Sequence, residues 1–117
     1  MKAYTDLEQS HKLAEILPIE SSDMFYTLID QGLYLEVKQG IEPSKDDIPC
    51  WSLTALLDVL PKNLDIGRPV LATNYRGYYW VSYFDEYMKE KFTSKIYNNP
   101  IDACYKMVLK LHKQKLL

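Results

Sequence analysis

The apolar positions of this chain fall into a phrase that occurs twice. Leu13-Ala14-Glu15-Ile16-Leu17-Pro18 and Leu56-Leu57-Asp58-Val59-Leu60-Pro61 both read apolar, apolar, acidic, β-branched, Leu, Pro. Two apolar runs follow each phrase, split by Gly32 in the first case and Gly77 in the second. Self-similarity at this scale fixes architecture before any local assignment. The pattern predicts two helix-plus-hairpin units, residues 5–39 and 52–84, and a closing helix over 99–115. The expected fold is a single α+β domain of order αββαββα, its hairpins forming a mostly antiparallel sheet packed against helices.

In the first unit, Thr5-Asp6-Leu7-Glu8 fits a capping box with Thr5 as the cap, and Pro18 ends the helix. Leu7, His11, Ala14 and Leu17 recur at helical spacing with Leu13 beside them, which places His11 on or near the buried stripe. No second ligand is spaced to join His11 around a metal, so a packed, hydrogen-bonded histidine is the expectation. Residues 24–30 and 33–38 read as strands about a Gln31-Gly32 turn, with the glycine taking a positive φ. That pairing sets Leu28 against Leu35 and Tyr26 against Val37. Met24, Tyr26, Leu28, Leu33, Leu35 and Val37 then share the core face, and Tyr34, Glu36 and Lys38 the other. Residues 39–49, with Gly40, Pro43 and Pro49, read as a surface loop.

The second unit opens with Ser52 as N-cap and Trp51 placed to fold onto Leu56; Leu53, Leu56, Leu57 and Leu60 form the inner stripe. After a connection over 62–69, residues 70–75 and 78–84 predict a hairpin around Arg76-Gly77. This register puts Leu71, Thr73, Tyr75, Tyr78, Trp80 and Phe84 on one face. Val70, Ala72, Asn74, Tyr79, Val81 and Tyr83 take the opposite one. The Trp80 and Phe84 face carries the larger apolar area and is assigned to the core. Residues 85–98 read as irregular, with Glu86, Lys89, Glu90 and Lys91 suited to a short helix and 92–97 to an edge strand. Asn99-Pro100 then caps and opens the last helix, with Asp102 at its positive end. Ile101, Cys104, Val108 and Leu111 face inward, flanked by Tyr105 and Met107.

Composition adds limits to this picture. With 117 residues, 47% apolar and 26% charged, the chain suits one globular domain. No run approaches the roughly eighteen apolar residues of a membrane helix, and the first residues lack the apolar stretch of a signal peptide, so a cytoplasmic setting is expected. Cys50 and Cys104 stand apart, with no spacing that suggests a disulfide framework, a zinc site or any other cofactor. Charge is uneven: residues 1–60 carry four lysines against eleven acids, while 61–117 carry ten Lys and Arg against five acids. Two halves attracting each other explain this as well as an anion-binding half does.

The phrases Pro49-Cys50-Trp51-Ser52-Leu53-Thr54-Ala55-Leu56-Leu57 and Leu60-Pro61-Lys62, with Asn99-Pro100-Ile101-Asp102-Ala103-Cys104 and Lys110-Leu111-His112, resemble a family of short proteins found in gut bacteria, their phages and their mobile elements. The likeness extends to Thr5-Asp6-Leu7-Glu8-Gln9-Ser10 and residues 13–17, but not to the hairpins. It implies a setting, an accessory protein of mobile DNA. It carries no activity and no catalytic residues.

Three functions compete on the residues. An interaction module, binding another protein or itself, is favoured by the outer face of the second hairpin, where Asn74, Arg76, Tyr79, Val81 and Tyr83 form the candidate binding set. The contrary outcome is that the closing helix or residues 89–97 cover this face. Single-stranded nucleic acid could stack on Tyr79 and Tyr83 beside Arg76. Two arginines, a pI near 5.6 and the lack of a recognition signature argue against it. An enzyme needs a nucleophile and base, a metal set or paired carboxylates. His11, His112 and Cys50 have no partners legible in sequence, so a catalytic site would have to be assembled by the tertiary fold.

Overall fold

A computed structural model of the chain describes residues 2–38, 43–62 and 67–117. Residues 39–42 of the expected loop and 63–66 of the expected connection lie outside the described residues. The order is α1 (Leu7–Ala14), β1 (Met24–Ile29), β2 (Gly32–Val37), β3 (Ile48–Cys50), α2 (Leu53–Val59), β4 (Arg68–Thr73), β5 (Tyr79–Phe84), β6 (Glu90–Thr93) and α3 (Pro100–Lys113). This is the expected α+β domain of order αββαββα, with a third strand added to each hairpin. The strands form two antiparallel three-stranded sheets instead of one, ordered β2-β1-β3 and β4-β5-β6. The third strand joins the first strand of one hairpin but the second strand of the other, so the two units differ in topology.

The core lies where α3 packs on β5 and α2. Val81, Tyr83, Ile101, Cys104, Met107, Val108 and Leu111 are fully buried there with Trp51, Leu56 and Leu60, and Leu13 and Leu17 close it from the α1 side. The inner face of α3 is the expected one. Its start is also as expected: the Asn99 side chain accepts from the Asp102 amide at 2.8 Å with Pro100 at N1. Ser52 likewise caps α2, accepting from the Ala55 amide at 3.3 Å.

The first helix departs from expectation by one residue. Asp6, not Thr5, is the cap: its carboxylate accepts the Gln9 amide at 2.8 Å and Gln9 Oε1 accepts the Asp6 amide at 3.2 Å. The buried stripe becomes Gln9, Ser10, Leu13 and Leu17, while Leu7, His11 and Ala14 are exposed. The shift follows from two polar side chains that find buried partners. Ser10 Oγ shares a hydrogen bond with Thr5 Oγ1 at 2.8 Å, and Gln9 Nε2 donates to Asp102 Oδ1 at 2.7 Å. Thr5 is thus spent inside the fold: its amide donates to the Trp51 carbonyl at 2.9 Å and its hydroxyl accepts the Trp51 amide at 3.1 Å.

Both hairpin registers are also corrected. In the first, Met24 pairs with Val37, Tyr26 with Leu35 and Leu28 with Leu33, two residues from the expected alignment, which leaves the face sharing unchanged. Positive φ falls on Asp30 (48°) and Gln31 (65°), a type I′ turn. Gly32 instead makes room for the Tyr34 ring, whose Cε2 would sit 2.9 Å from an added Cβ. In the second hairpin Leu71 pairs with Val81 and Thr73 with Tyr79. Here the loop holds three residues, Tyr75, Arg76 and Gly77, not two: Asn74 Oδ1 accepts the amides of Arg76 and Tyr78 at 3.0 and 3.2 Å, and Gly77 takes φ 81°. The odd shift exchanges the two faces of β5 relative to β4: Leu71 stays on the core side, as expected, but its companions there are Val81 and Tyr83 and not Trp80 and Phe84.

Residues 48–50, of which 48 and 49 were expected in a loop, form a strand on the far side of β1: Met24 pairs with Cys50 and Tyr26 with Ile48. Of the uncertain stretch 85–98, Glu90–Thr93 forms the edge strand β6, and Tyr97 makes an isolated bridge to Tyr79. Since β3 reaches only to Tyr26, the outer half of the β1–β2 hairpin is two-stranded. Its projection agrees with extents of 52 × 31 × 24 Å and a radius of gyration of 15.2 Å, against about 13 Å for a compact chain of this length.

Candidate interaction surface

The expected binding set does not form a surface. Val81 and Tyr83 are fully buried, because the three-residue loop turns the Tyr79, Val81 and Tyr83 face inward onto α3. The Tyr83 hydroxyl donates to the Pro61 carbonyl at 2.9 Å, and burial raises its phenol pKa. Tyr79 is half-buried and joined to Tyr97 through paired backbone bonds of 2.7 and 2.8 Å. Asn74 is committed to its turn. Arg76 remains exposed, its guanidinium 5.5 Å from the Tyr75 ring centroid and its Nε donating to the Tyr75 hydroxyl at 3.2 Å.

The groups with chemical potential are either enclosed or isolated. The Cys50 thiol is buried, donates to the Thr5 carbonyl at 3.4 Å and is pushed up by desolvation. Cys104 sits in apolar surroundings that push its thiol up to about 12. Neither has the lowered pKa of a nucleophile. His11 and His112 are exposed, and no group of three or more His, Cys, Asp or Glu side chains converges among the described residues. A small cavity of about 170 Å³ lies between Phe25, Ile19, Lys38, Pro43 and Pro49, below the size of most ligand pockets. A wider groove of about 670 Å³ runs past Arg68, Phe84, Tyr87 and Met88; its Asp85 carboxylate is taken by the amides of Tyr87 (2.8 Å) and Lys89 (2.9 Å).

The main polar assembly is a clasp that joins elements distant in sequence. Lys2 Nζ lies 2.9 Å from Asp6 Oδ2 and 3.0 Å from Asp102 Oδ1, and Asn99 Nδ2 donates to Asp102 Oδ2 at 2.8 Å. Partial burial pushes the Asp102 carboxyl up, but hydrogen bonds from Lys2, Asn99 and Gln9 and the Lys2 charge outweigh it, holding the group below the usual carboxylate range. Every member has a partner inside the fold, which marks the assembly as structural.

What stands open is the β1–β2 hairpin. Leu28 is 71% exposed, Tyr34 52%, Ile29 49%, Val37 48% and Leu33 45%. Leu28, Leu33 and Val37 were expected in the core and Tyr34 on the polar face; in the structure both faces of the outer hairpin are apolar and wet. The signal was present in the sequence, since Ile29 and Tyr34 interleave with Leu28 and Leu33, and a half-buried strand would alternate with polar residues.

The open edge of this hairpin is unusual as well. Strand order leaves β2, β3, β4 and β6 at sheet edges, and α1 packs along β3. β4 carries Arg68 and Pro69, and β6 is four residues with Glu90 and Lys91, devices that blunt an edge against pairing. β2 reads Gly-Leu-Tyr-Leu-Glu-Val, with no proline and no lysine inside it. No described residue pairs with its outer side.

The chain matches no family model, no curated protein and no solved structure. The hairpin therefore has to be read from its own geometry.

Proposed function

We propose that this chain is a non-enzymatic protein-interaction module, accessory or regulatory in role, whose working surface is the projecting β1–β2 hairpin. The observation that supports it is the combination of exposed Leu28, Ile29, Leu33, Tyr34 and Val37 with an edge strand that holds no proline or lysine and a single charge, Glu36. An exposed strand edge offers backbone hydrogen bonds for affinity and alternating side chains for specificity, the recognition mode of β-strand addition. The sequence resemblance supports a setting in phages or mobile elements of gut bacteria, and the chain's composition a cytoplasmic one.

The test compares partners recovered from the native host by the tagged wild-type protein and by Leu28→Lys. Position 28 is too exposed for the change to unfold the domain. Loss of recovered partners at an unchanged thermal midpoint supports the reading; an identical partner set in both samples overturns it.

Single-stranded nucleic acid is the second reading, now carried by the β4–β5 turn, where Tyr75 is 90% exposed under Arg76. An oligonucleotide titration at low salt decides it: binding that weakens with salt and is lost in Tyr75→Ala supports a stacking site there, and flat titrations reject it.

A further inference from the structure

We infer that the occupant of the β2 edge is a second copy of this chain, paired antiparallel about a two-fold axis at Leu35 to give a continuous six-stranded sheet, β3-β1-β2-β2-β1-β3. The inference rests on reading the hairpin as an interaction surface and adds the identity of what binds there.

The backbone sets which groups are available. In a two-residue hairpin the closing pair is hydrogen-bonded and the pattern alternates from there. Ile29 and Gly32 close the turn, so Gly32, Tyr34 and Glu36 bond to β1, and the Lys38 amide continues the series by donating to the Asp23 carbonyl at 3.0 Å. The N–H and C=O groups of Leu33, Leu35 and Val37 therefore point outward. An antiparallel partner must present groups of the same kind, and a second β2 strand does so at the same spacing.

Side chains then select the register. With Leu35 opposite Leu35 of the second copy, Leu33 faces Val37 and Val37 faces Leu33, an apolar row on one side of the new sheet. On the other side Glu36 faces Tyr34, so the only carboxylate of the strand meets a phenol hydroxyl donor, twice by symmetry. Sliding by two residues in one direction sets Glu36 against Glu36, a like-charge pair in direct opposition. Sliding the other way carries Val37 opposite Gln31, in the turn and past the end of the strand. The Leu35 register pairs residues 33–37 with one another, sets Gly32 against Lys38 just past the strand, and is the one of the three that brings Glu36 opposite Tyr34 with no like-charge opposition.

The same geometry sets the strength. The exposed strip of one strand contributes roughly 400–500 Å² per copy, so the total, about 1,000 Å² or less, lies at the lower end of specific interfaces. The dimer is accordingly in the weak, transient class of specific association. It is isologous and closed with respect to β2, since each β2 edge is consumed by the other; the sheet then ends in β3, against which α1 packs.

Two measurements test it on the whole protein. Hydrogen exchange from about 5 μM to about 1 mM should show concentration-dependent protection of the Leu33, Leu35 and Val37 amides, while Tyr34 and Glu36, already bonded to β1, stay constant. Under mild oxidation Leu35→Cys should cross-link to itself, because hydrogen-bonded antiparallel pairs place Cα atoms about 5.5 Å apart, within disulfide range. Leu33→Cys and Val37→Cys should each fail alone and cross-link when mixed; Cys50 and Cys104 are buried and do not compete. Val37→Lys should weaken self-association at least tenfold at an unchanged thermal midpoint. A chain that sediments as a monomer at about 1 mM, with no alternating protection, overturns the dimer. In that case a labelled peptide of residues 32–38 separates the two claims: binding to the monomer's β2 edge leaves the interaction surface standing without self-pairing, and no binding removes both.

Discussion

Two turns of sheet β4-β5-β6 share one hydrogen-bond pattern and place different residues, Gly77 and Met88, at the same left-handed position, which allows the cost of a side chain there to be measured. In Asn74–Tyr78 the Gly77 amide donates to the Asn74 carbonyl at 3.1 Å and Asn74 Oδ1 takes two amides; in Asp85–Lys89 the Met88 amide donates to the Asp85 carbonyl at 3.0 Å and Asp85 Oδ1 takes two amides. The fourth position is left-handed in both, at φ 81° for Gly77 and 63° for Met88. An L-residue with a side chain pays about 1–2 kcal/mol there, while a glycine loses about 0.5–1 kcal/mol through the greater freedom of its unfolded chain. The difference predicts that Met88→Gly stabilises the domain by about 0.5–1 kcal/mol and Gly77→Ala destabilises it by a similar amount. Packing does not obscure the comparison, since Met88 is 76% exposed and a Cβ at Gly77 meets nothing within 4 Å. Urea unfolding should show opposite shifts of the midpoint at constant slope, and thermal unfolding opposite shifts of a few degrees. Destabilisation by Met88→Gly would show that the Met88 side chain holds the turn, and the backbone argument would be wrong.

Three further outcomes follow from the fold. Tyr83→Phe should cost about 1–2 kcal/mol in urea unfolding, because the Pro61 carbonyl loses its 2.9 Å donor inside the protein. Gly67→Ala should cost more than about 2 kcal/mol, since φ is 92° and the new Cβ would collide with the Phe84 carbonyl oxygen; an unchanged midpoint would contradict the tight approach of β4 to β5. Acid should weaken the clasp. Asp6 and Asp102 both have folded pKa values below the reference of 3.8, so their contribution is full above that value and is lost as pH falls through the folded pKa. Unfolding followed below about pH 4 should show this loss, and Asp102→Asn should flatten the slope there while leaving the profile from about pH 6 to 8 level.

Legibility in the sequence divided along physical lines. Element order, the Ser52 and Asn99 caps and the inner stripe of α3 could be read because each depends on residues within one or two turns of each other. What escaped depended on polar side chains with remote partners or on a single-residue count. Thr5 resembled a cap but bonds to Trp51, and Gln9 and Ser10 took a buried stripe that apolar periodicity gave to His11 and Ala14. Asn74 lengthened one loop by a residue and thereby buried Val81 and Tyr83, the centre of the expected binding set. For the interaction surface the relevant pattern, apolar residues on both faces of β1 and β2, was visible; its meaning depended on β3 stopping at Tyr26, which sequence does not reveal.

The clasp at Asp102 also bears on the order in which the chain can fold. Lys2 and Gln9 reach Asp102 across 100 and 93 residues of a 117-residue chain, so these bonds close only after α3 exists. During synthesis the β1–β2 hairpin and its exposed leucines are complete long before the helix that finishes the core has emerged. The nascent chain therefore passes through a stage in which residues 24–37 are synthesised and the closure at Asp102 is not yet possible.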